Sequence, residues 1–356
     1  MVWAVAGLIV SLAGSTLAHD EKSAKSGEIE RSLTVDAQAT ITLCVASGTL
    51  NVRGWDKNEV RVRSVDAAQI EFRRIDKTKD TTKPATRVDV MLFGKTGGPR
   101  PRLDCQALAS VEMDVPSGAT VQVQTRDGDI MIAGVAGAYA GSQNGDITIE
   151  RVTKLVEAGS VGGSISLRDT SGRVFLNSAG GGVEAINVRP ATADDTFEVG
   201  TVSGDIQLDR VSNPRVMAKT VNGTLTMSGP LAKQGYYGFS NVTGDTILEM
   251  PRDASFQLKA TVSEKQDLVS DFNLKYINEP ATPPPTPRPA PKPAPETTPK
   301  PPTAKAVPRT GPVAAPIVVE KPLSVHVLRR ITAICGTGDA TISVASFGGT
   351  VRLKKI

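Results

Sequence analysis

The sequence has little of what most catalytic sites are built from. Only 4% of its 356 residues are aromatic, and it holds 2 histidines and 3 cysteines. Neither His19 nor His326 lies in a nucleophile motif, and no G-x-S-x-G sequence, P-loop or C-x-x-C pair occurs. We therefore predict no catalytic residue, no cofactor and no metal site, and a chain that is not an enzyme.

An excess of charge of either sign is also missing. The 41 basic and 37 acidic side chains leave a net charge of +4, and no basic stripe is interleaved with aromatic residues. Nucleic-acid binding depends on such a stripe. A nucleic-acid partner is therefore not expected.

The N-terminus carries an apolar run, VWAVAGLIVSLAGSTLA, at residues 2–18. Thr16 and Ala18 suit the −3 and −1 positions of a signal peptidase site, so residues 1–18 are predicted to be a signal peptide. The alternative is an uncleaved membrane anchor, for which the run is short. We expect no transmembrane helix in the mature chain, and export to the periplasm, the cell surface or the medium.

A repeat of about nineteen residues begins at Val121. Each copy has two apolar residues two apart, then Ser, Thr or Asn, then a Gly turn, then two more apolar residues two apart. Alternation places the apolar residues on one face of a strand, and stacked copies can bury that face together. The pattern predicts an all-β fold, a parallel β-solenoid with structural turn glycines at Gly128, Gly145, Gly163, Gly181, Gly204, Gly223 and Gly244.

Three kinds of position inside the repeat can be assigned from this register. Ile130, Ile147, Ile165, Val183, Ile206 and Leu225 are predicted to be buried. The hydroxyl or amide residue three before each glycine is predicted to turn inward at a corner: Thr125, Ser142, Ser160, Ser178, Thr201, Thr220 and Asn241. A ladder of hydroxyls that binds a ligand is the alternative for this column.

Two outlying segments follow the same template. One turns at Gly48 and the other at Gly349, and both are predicted to form rungs at, or added onto, the two ends of the stack. Residues 55–115 alternate without the glycine spacing. We interpret 59–64, 69–74 and 86–93 as antiparallel strands that cap the N-terminal end, because solenoid ends need covering.

A proline-rich segment interrupts the pattern near the C-terminus, with 15 prolines between Pro280 and Pro316. Its composition predicts extended polyproline II, reaching about 115 Å over these residues. A solvated spacer is the simpler interpretation, and a strip that reaches through cell-wall polymer or docks a partner is the alternative. The repeat pattern resumes after this segment, so the segment is predicted to be an insertion within one domain.

The predicted organisation has six parts. They are a signal peptide (1–18), a flexible N-terminus (19–32), an N-terminal rung with capping strands (33–115), solenoid repeats (116–278), the proline-rich insertion (279–318) and C-terminal rungs (319–356).

Aspartates follow a glycine at Asp129, Asp146, Asp205, Asp245 and Asp339. In β-helix enzymes such a column can bind metal or act on polysaccharide, but Asp beside Gly is also what a tight turn favours. Ser164 and Thr224 interrupt the column, which favours turn chemistry. Trp55 and the outward-facing Tyr236 are the aromatic side chains left for stacking on a sugar, with Tyr237 assigned to the core.

The three cysteines fit no metal motif. Register places Cys335 inward, as a buried and inert thiol. Cys44 lies on the face opposite Ile41 and Leu43, and we assign Cys105 to a capping strand. A Cys44–Cys105 disulfide would close a loop of about sixty residues and requires Cα atoms within about 7 Å.

Four motifs stand out along the sequence: G-T-L-N-V-R-G-W-D at 48–56, E-V-R-V at 59–62, V-P-S-G-A-T-V at 115–121 and G-T-G-D-A-T-I-S-V at 336–344. Together they resemble the bacterial "putative adhesin" family of exported and envelope proteins, a domain of unknown function. The resemblance implies a β-solenoid in the envelope and carries over no catalytic residue.

We therefore predict a non-enzymatic exported envelope protein, an adhesin-like interaction scaffold whose partner is an envelope protein or a polysaccharide. The alternative is a polysaccharide-binding or polysaccharide-cleaving β-helix protein.

Overall fold

The computed structural model describes residues 27–76, 82–94, 105, 107–263, 267–277 and 328–356. These residues form 26 β-strands and no helix, so the predicted all-β solenoid is confirmed. They group into two compact units that divide between Leu167 and Arg168. The predicted signal peptide and the proline-rich insertion lie outside the described residues.

The first unit holds eleven complete strands. They are β1 (Ile29–Ser47), β2 (Leu50–Trp55), β3 (Glu59–Ser64), β4 (Ala67–Arg74), β5 (Ala85–Gly94), β6 (Val111–Pro116), β7 (Thr120–Asp127), β8 (Ile130–Ala133), β9 (Gly137–Asn144), β10 (Ile147–Glu150) and β11 (Leu155–Ser160).

Strand β12 (Ile165–Ser171) crosses the division, and the second unit holds the rest. They are β13 (Arg173–Ser178), β14 (Val183–Arg189), β15 (Thr196–Ser203), β16 (Ile206–Val211), β17 (Arg215–Asn222), β18 (Leu225–Ser228), β19 (Tyr236–Thr243), β20 (Thr246–Met250), β21 (Phe256–Ser263), β22 (Leu268–Ser270), β23 (Lys275–Tyr276), β24 (Leu328–Cys335), β25 (Ala340–Ser346) and β26 (Val351–Lys355).

Each rung contributes one strand before its turn glycine and one strand after it. The strands before the glycine pair in parallel with one another, as β15 does with β17 and β17 with β19. The strands after it also pair in parallel, as β16 does with β18 and β18 with β20. Each unit therefore has a first sheet and a second sheet, and every residue keeps its register from rung to rung.

The core is formed by the inward positions of both sheets. The six side chains predicted to be buried, Ile130, Ile147, Ile165, Val183, Ile206 and Leu225, are all at most 2% exposed, so that prediction is confirmed. Within the first unit Ile147 lies opposite Ile130, and within the second Ile206 lies between Val183 and Leu225. Alternation alone fixed this face because the period of a strand is two residues.

The N-terminal rung does not form the end of its stack. The later part of β1 pairs in parallel with both β5 and β7, and β2 pairs in parallel with both β6 and β8. Rung β1–β2 is therefore inserted between rung β5–β6 and rung β7–β8. Strand β4 then pairs antiparallel with β5, and β3 pairs antiparallel with β6.

The C-terminal rung is inserted in the same way. β25 pairs in parallel with β19 on one side and β21 on the other, and β26 lies likewise between β20 and β22. Strand β24 pairs antiparallel with the other edge of β21. Each terminal rung is thus covered by a rung from elsewhere in the sequence and then by an antiparallel strand.

Four expectations need correction. The segments around Gly48 and Gly349 are second from the end of their stacks, because alternation fixes a face and not a neighbour. Segment 86–93 is a parallel strand of the solenoid as well as the antiparallel partner of β4. Residues 29–32, assigned to a flexible N-terminus, form the start of β1 and pair antiparallel with β3. Cys105 lies outside any strand.

Candidate functional site

The predicted turn glycines stack directly on one another within each unit. An added Cβ at Gly204, Gly223, Gly244 or Gly349 would overlap the carbonyl oxygen of the turn glycine one rung away. Gly128, Gly145 and Gly163 are in the same situation in the first unit, and Gly48 abuts the carbonyl oxygen of Ala109. This backbone approach leaves no room for a side chain, so glycine is required for packing.

The column of hydroxyl and amide residues hydrogen-bonds to these turns. Thr201 Oγ1 donates to the carbonyl oxygen of Gly181 at 3.0 Å, and Thr220 Oγ1 donates to that of Gly204 at 3.1 Å. Asn241 Nδ2 makes the same bond to Gly223 at 2.9 Å. The side chains are buried as predicted. Because these donors bond the backbone of the neighbouring rung, the column holds the turn together rather than presenting hydroxyls to a ligand.

The aspartate column also serves the turns. Asp205 Oδ1 accepts a hydrogen bond from the backbone N–H of Thr224, one rung further on, at 2.7 Å. The same bond runs from Asp146 N to Asp129, from Ser164 N to Asp146 and from Thr350 N to Asp245, at 2.8–2.9 Å. Each carboxylate therefore bonds the backbone of the neighbouring rung. These bonds within the turns are the role that the sequence favoured for the aspartates over metal binding or catalysis.

No metal site arises from these carboxylates. Among the residues that the structure describes, no three His, Cys, Asp or Glu side chains group closely enough to hold an ion. Asp339 lies apart from the column and accepts a bond from Thr337 Oγ1 at 2.7 Å. Paired acids for hydrolysis need two carboxylates that converge on a substrate, whereas each carboxylate of this column accepts a hydrogen bond from the backbone of the neighbouring rung.

A charged cluster that the sequence did not reveal lies on the outer face of the first unit. The carboxylate of Asp114, 3% exposed, accepts hydrogen bonds from Arg53, Arg61 and Arg63 at 2.7–3.2 Å. These residues come from β2, β3 and β6, which are neighbouring strands. Burial raises the pKa of the Asp114 carboxyl, but the bonds from Arg61 and Arg53 outweigh it and hold that pKa below its ordinary value. The cluster ties three strands together.

The aromatic side chains considered for sugar stacking are already engaged. Arg61 lies 4.6 Å and Lys57 5.0 Å from the centre of the Trp55 ring, and Trp55 Nε1 donates to the carbonyl oxygen of Glu59. Tyr236 faces outward as predicted, with the Arg215 guanidinium over its ring. Tyr237 is fully buried. These three side chains therefore form no stacking platform.

Cys44 and Cys105 are joined as a disulfide, with Cα atoms 4.8 Å apart. Beside the bridge is an open groove of about 470 Å³ on the first sheet of the first unit. Two outward-facing glycines in register, Gly141 and Gly159, leave space there, and amide and guanidinium groups line it from Gln124, Gln143 and Arg126. The groove can offer hydrogen bonds, and none of the described residues that line it carries a carboxylate.

Cys335 is half-buried rather than fully buried. It lies at the end of β24 opposite Phe256, and its Sγ donates to the carbonyl oxygen of Ala254 at 3.5 Å. Because β24 runs antiparallel to β21, it does not follow the parallel template from which burial was predicted. Burial nevertheless raises the pKa of this thiol, which disfavours the reactive thiolate.

An exposed apolar stripe runs along one edge of the second unit. Val202, Val221, Val242 and Phe347 are each between 41% and 51% exposed and occupy equivalent positions in four consecutive rungs. We call these four side chains the apolar edge. Two positions before these side chains on the same strands lie Gly200, Lys219, Ser240 and Ala345, of which Lys219 is charged and the other three are small and uncharged. In the sequence each of these residues directly follows the hydroxyl or amide residue that lies three before a turn glycine, but only the structure shows that their side chains are exposed.

The chain belongs to the Toastrack DUF4097 family, whose sequence profile it matches over residues 40–276. This agrees with the resemblance found in the sequence. No curated protein matches the chain. The described residues contain no helix long and apolar enough to cross a membrane.

Solved structures with low similarity also cover most of the chain. A "putative cell adhesion protein" from Clostridium sporogenes is 10% identical, with 92% of this chain and 100% of that chain covered at a TM-score of 0.23. A "putative adhesin" from Bacteroides fragilis is 10% identical, with 92% and 98% covered at a TM-score of 0.36. A "putative adhesin" from Parabacteroides distasonis is 9% identical, with 63% and 90% covered at a TM-score of 0.27.

Proposed function

We propose that this chain is a non-enzymatic, adhesin-like interaction scaffold of the bacterial envelope, and that it binds a partner protein through the apolar edge. The observation that carries the proposal is the edge itself. Four half-exposed apolar side chains lie in register on paired parallel strands, and three of the four residues two positions before them are uncharged. Contiguous exposed apolar side chains are typical of contact surfaces.

The other polar features support a scaffold over a catalyst. The aspartates bond the backbone of neighbouring rungs, and Asp114 is surrounded by three arginines. A general acid or base needs a titratable group within reach of a substrate. These carboxylates are instead used within the fold.

The N-terminal sequence supports an envelope location. Residues 2–18 have the length and the small terminal residues of a cleaved signal, and the disulfide between Cys44 and Cys105 suits an oxidising compartment. Export can be tested by N-terminal sequencing of the chain recovered from a bacterial host. A mature protein beginning at His19 is expected, and full-length chain retained in the cytoplasm would contradict export.

Partner binding is tested with a pair of matched double variants. Val221→Ser with Val242→Ser removes the centre of the apolar edge, and Thr226→Ser with Ile247→Ser makes a similar change on the second sheet of the same rungs. Binding to isolated envelope protein, measured by surface plasmon resonance, should weaken at least roughly tenfold only in the first variant. Equal binding by both variants would contradict the proposal.

A second candidate function, polysaccharide binding, rests on the groove beside the disulfide. Its amide and guanidinium groups are of the kind that bond sugar hydroxyls, and its two glycines leave room for an extended polymer. Gln124→Ala with Gln143→Ala should then abolish binding to purified envelope polysaccharide, while the apolar-edge variant should retain it. If both variants bind polysaccharide like the wild type, the groove is not the site.

A further inference from the structure

The last described segment, residues 328–356, pairs with both edges of strand β21 in rung β21–β22. β24 pairs with one edge of β21 over eight residues, and β25 pairs with the other edge over seven. β25 also pairs with β19 over six residues, and β26 pairs with β20. The segment therefore fills a slot whose walls, β19–β20 and β21–β22, come from residues 236–270.

The slot is specific for this segment. Ile342, Val344, Val351 and Leu353 are at most 2% exposed and continue the buried columns of the rungs on either side. Without them, the facing edges of β19 and β21 would carry unpaired backbone groups, which strongly favour pairing with another strand. The walls thus form an acceptor site for one rung of this sequence.

The tether to this segment is far longer than closure requires. Tyr276 lies opposite Ala333, and the backbone N–H of Ile277 donates to the carbonyl oxygen of Thr332. Thr332 is four residues from Leu328, so Ile277 and Leu328, which flank segment 278–327, are separated by roughly 15 Å or less. A turn of a few residues closes an antiparallel pair, whereas this connection spans residues 278–327.

We infer that residues 328–356 can be donated to a second copy of the chain, which accepts them in the same slot between β19 and β21. A partner segment of identical sequence makes the same hydrogen bonds and buries the same side chains as the chain's own segment. The choice between the two therefore depends on effective concentration. For a short flexible tether this is on the order of millimolar, and it falls with roughly the −3/2 power of tether length, so a tether of this length gives a lower value.

Exchange should therefore depend on the concentration at which the chain folds. Full-length protein is unfolded in urea without reductant, refolded at about 1 mM and at about 0.1 mM, and analysed by light scattering after dilution. A dimer is expected at the higher concentration, with a fraction several-fold smaller at the lower one. Monomer alone at both concentrations would overturn the inference.

A mixed disulfide then identifies the exchanged segment. One chain carries Ser240→Cys and the other Ala345→Cys, both with Cys335→Ser, because Ser240 lies opposite Ala345 across β19 and β25. Dimer from the co-refolded mixture is isolated and oxidised at low concentration. A cross-link between the two chains is expected. A mixture of Thr226→Cys and Ala345→Cys chains is the control, since Thr226 lies on the second sheet and should not cross-link. Cross-linking that is absent or equal to the control would overturn the inference.

Shortening the tether provides an independent measurement on chains without new cysteines. Replacing residues 278–327 with ten Gly and Ser residues should raise the intramolecular effective concentration roughly tenfold and lower the dimer fraction at 1 mM several-fold. An unchanged dimer fraction would show that the dimer forms by another route. Loss of envelope binding in the apolar-edge variant does not bear on this result, so the two proposals can fail separately.

Discussion

Asp205 bonds the backbone of Thr224 across one rung of the solenoid, with a distance of 2.7 Å from Oδ1 to the amide nitrogen. The Asp205→Ala variant leaves that N–H without a partner, so the free energy of unfolding should fall by about 1 kcal/mol. Asp205→Asn keeps an oxygen acceptor and should lose less. Gln207→Ala, an exposed change on the adjoining strand, is the control. Urea denaturation checks the order, and equal losses at Asp205 and Gln207 would contradict it.

Position 244 requires glycine for two reasons. Its φ is +123°, and an added Cβ would overlap the carbonyl oxygen of Gly223. Gly244→Ala should therefore destabilise the protein by on the order of 3 kcal/mol. Gly200→Ala is the matched control, since its added Cβ would meet nothing closer than 3.5 Å. In thermal unfolding, Gly200→Ala should stay within about 0.5 kcal/mol of the wild type. Similar effects of the two variants would contradict the stacking requirement.

Asp114 should make stability depend on pH in a defined window. Its folded-state pKa lies below the ordinary value of 3.8, so its contribution is full above that value and is lost as pH falls through the folded-state pKa. The Asp114→Asn variant should be less stable by about 3 kcal/mol at neutral pH. That gap should stay constant down to about pH 5 and narrow below 3.8. Chemical denaturation from pH 7 to pH 2.5 measures it, and a gap that widens in acid would contradict the assignment.

Arg53 provides a control for the Asp114 prediction because its side chain is 64% exposed. An exposed ion pair contributes less than about 1 kcal/mol. The Arg53→Gln variant should therefore shift unfolding far less than Asp114→Asn does.

The Cys44–Cys105 disulfide closes a loop with a sequence separation of 61. A cross-link over that length stabilises by roughly 4 kcal/mol through the unfolded state. Cys44→Ser should therefore lower the free energy of unfolding by about that amount. Thiol titration of the denatured, unreduced exported protein should give one free thiol, from Cys335. Finding three would mean that the bridge does not form in the cell.

The regular rungs could be read from the sequence because their signals are local. Ile206 and Leu208 are two residues apart and therefore lie on the same face of the strand, and Gly204 marks the turn before it. The buried face and the turn can thus be predicted from a few neighbouring residues. The same local reasoning predicted that Asp205 serves the turn. It could not supply the specific bond to Thr224, which depends on how two rungs align.

Which strands pair with one another could not be predicted from these local patterns. Ile342 alternates like any inward residue, but nothing near it records that β25 lies between β19 and β21. The Asp114 cluster was missed for the same reason. Its arginines lie more than fifty residues away in sequence and become neighbours only when β2, β3 and β6 are paired.

The inserted rung also separates the order of synthesis from the order of stacking. A chain that emerges from its N-terminus makes β21 before β25, yet β25 must lie between β21 and β19 in the finished fold. Rung β21–β22 therefore cannot reach its final neighbours until residues 340–355 have emerged. If synthesis or translocation stalled within the proline-rich segment, all earlier rungs would be present. The stack would nevertheless lack the rung that joins β19 to β21.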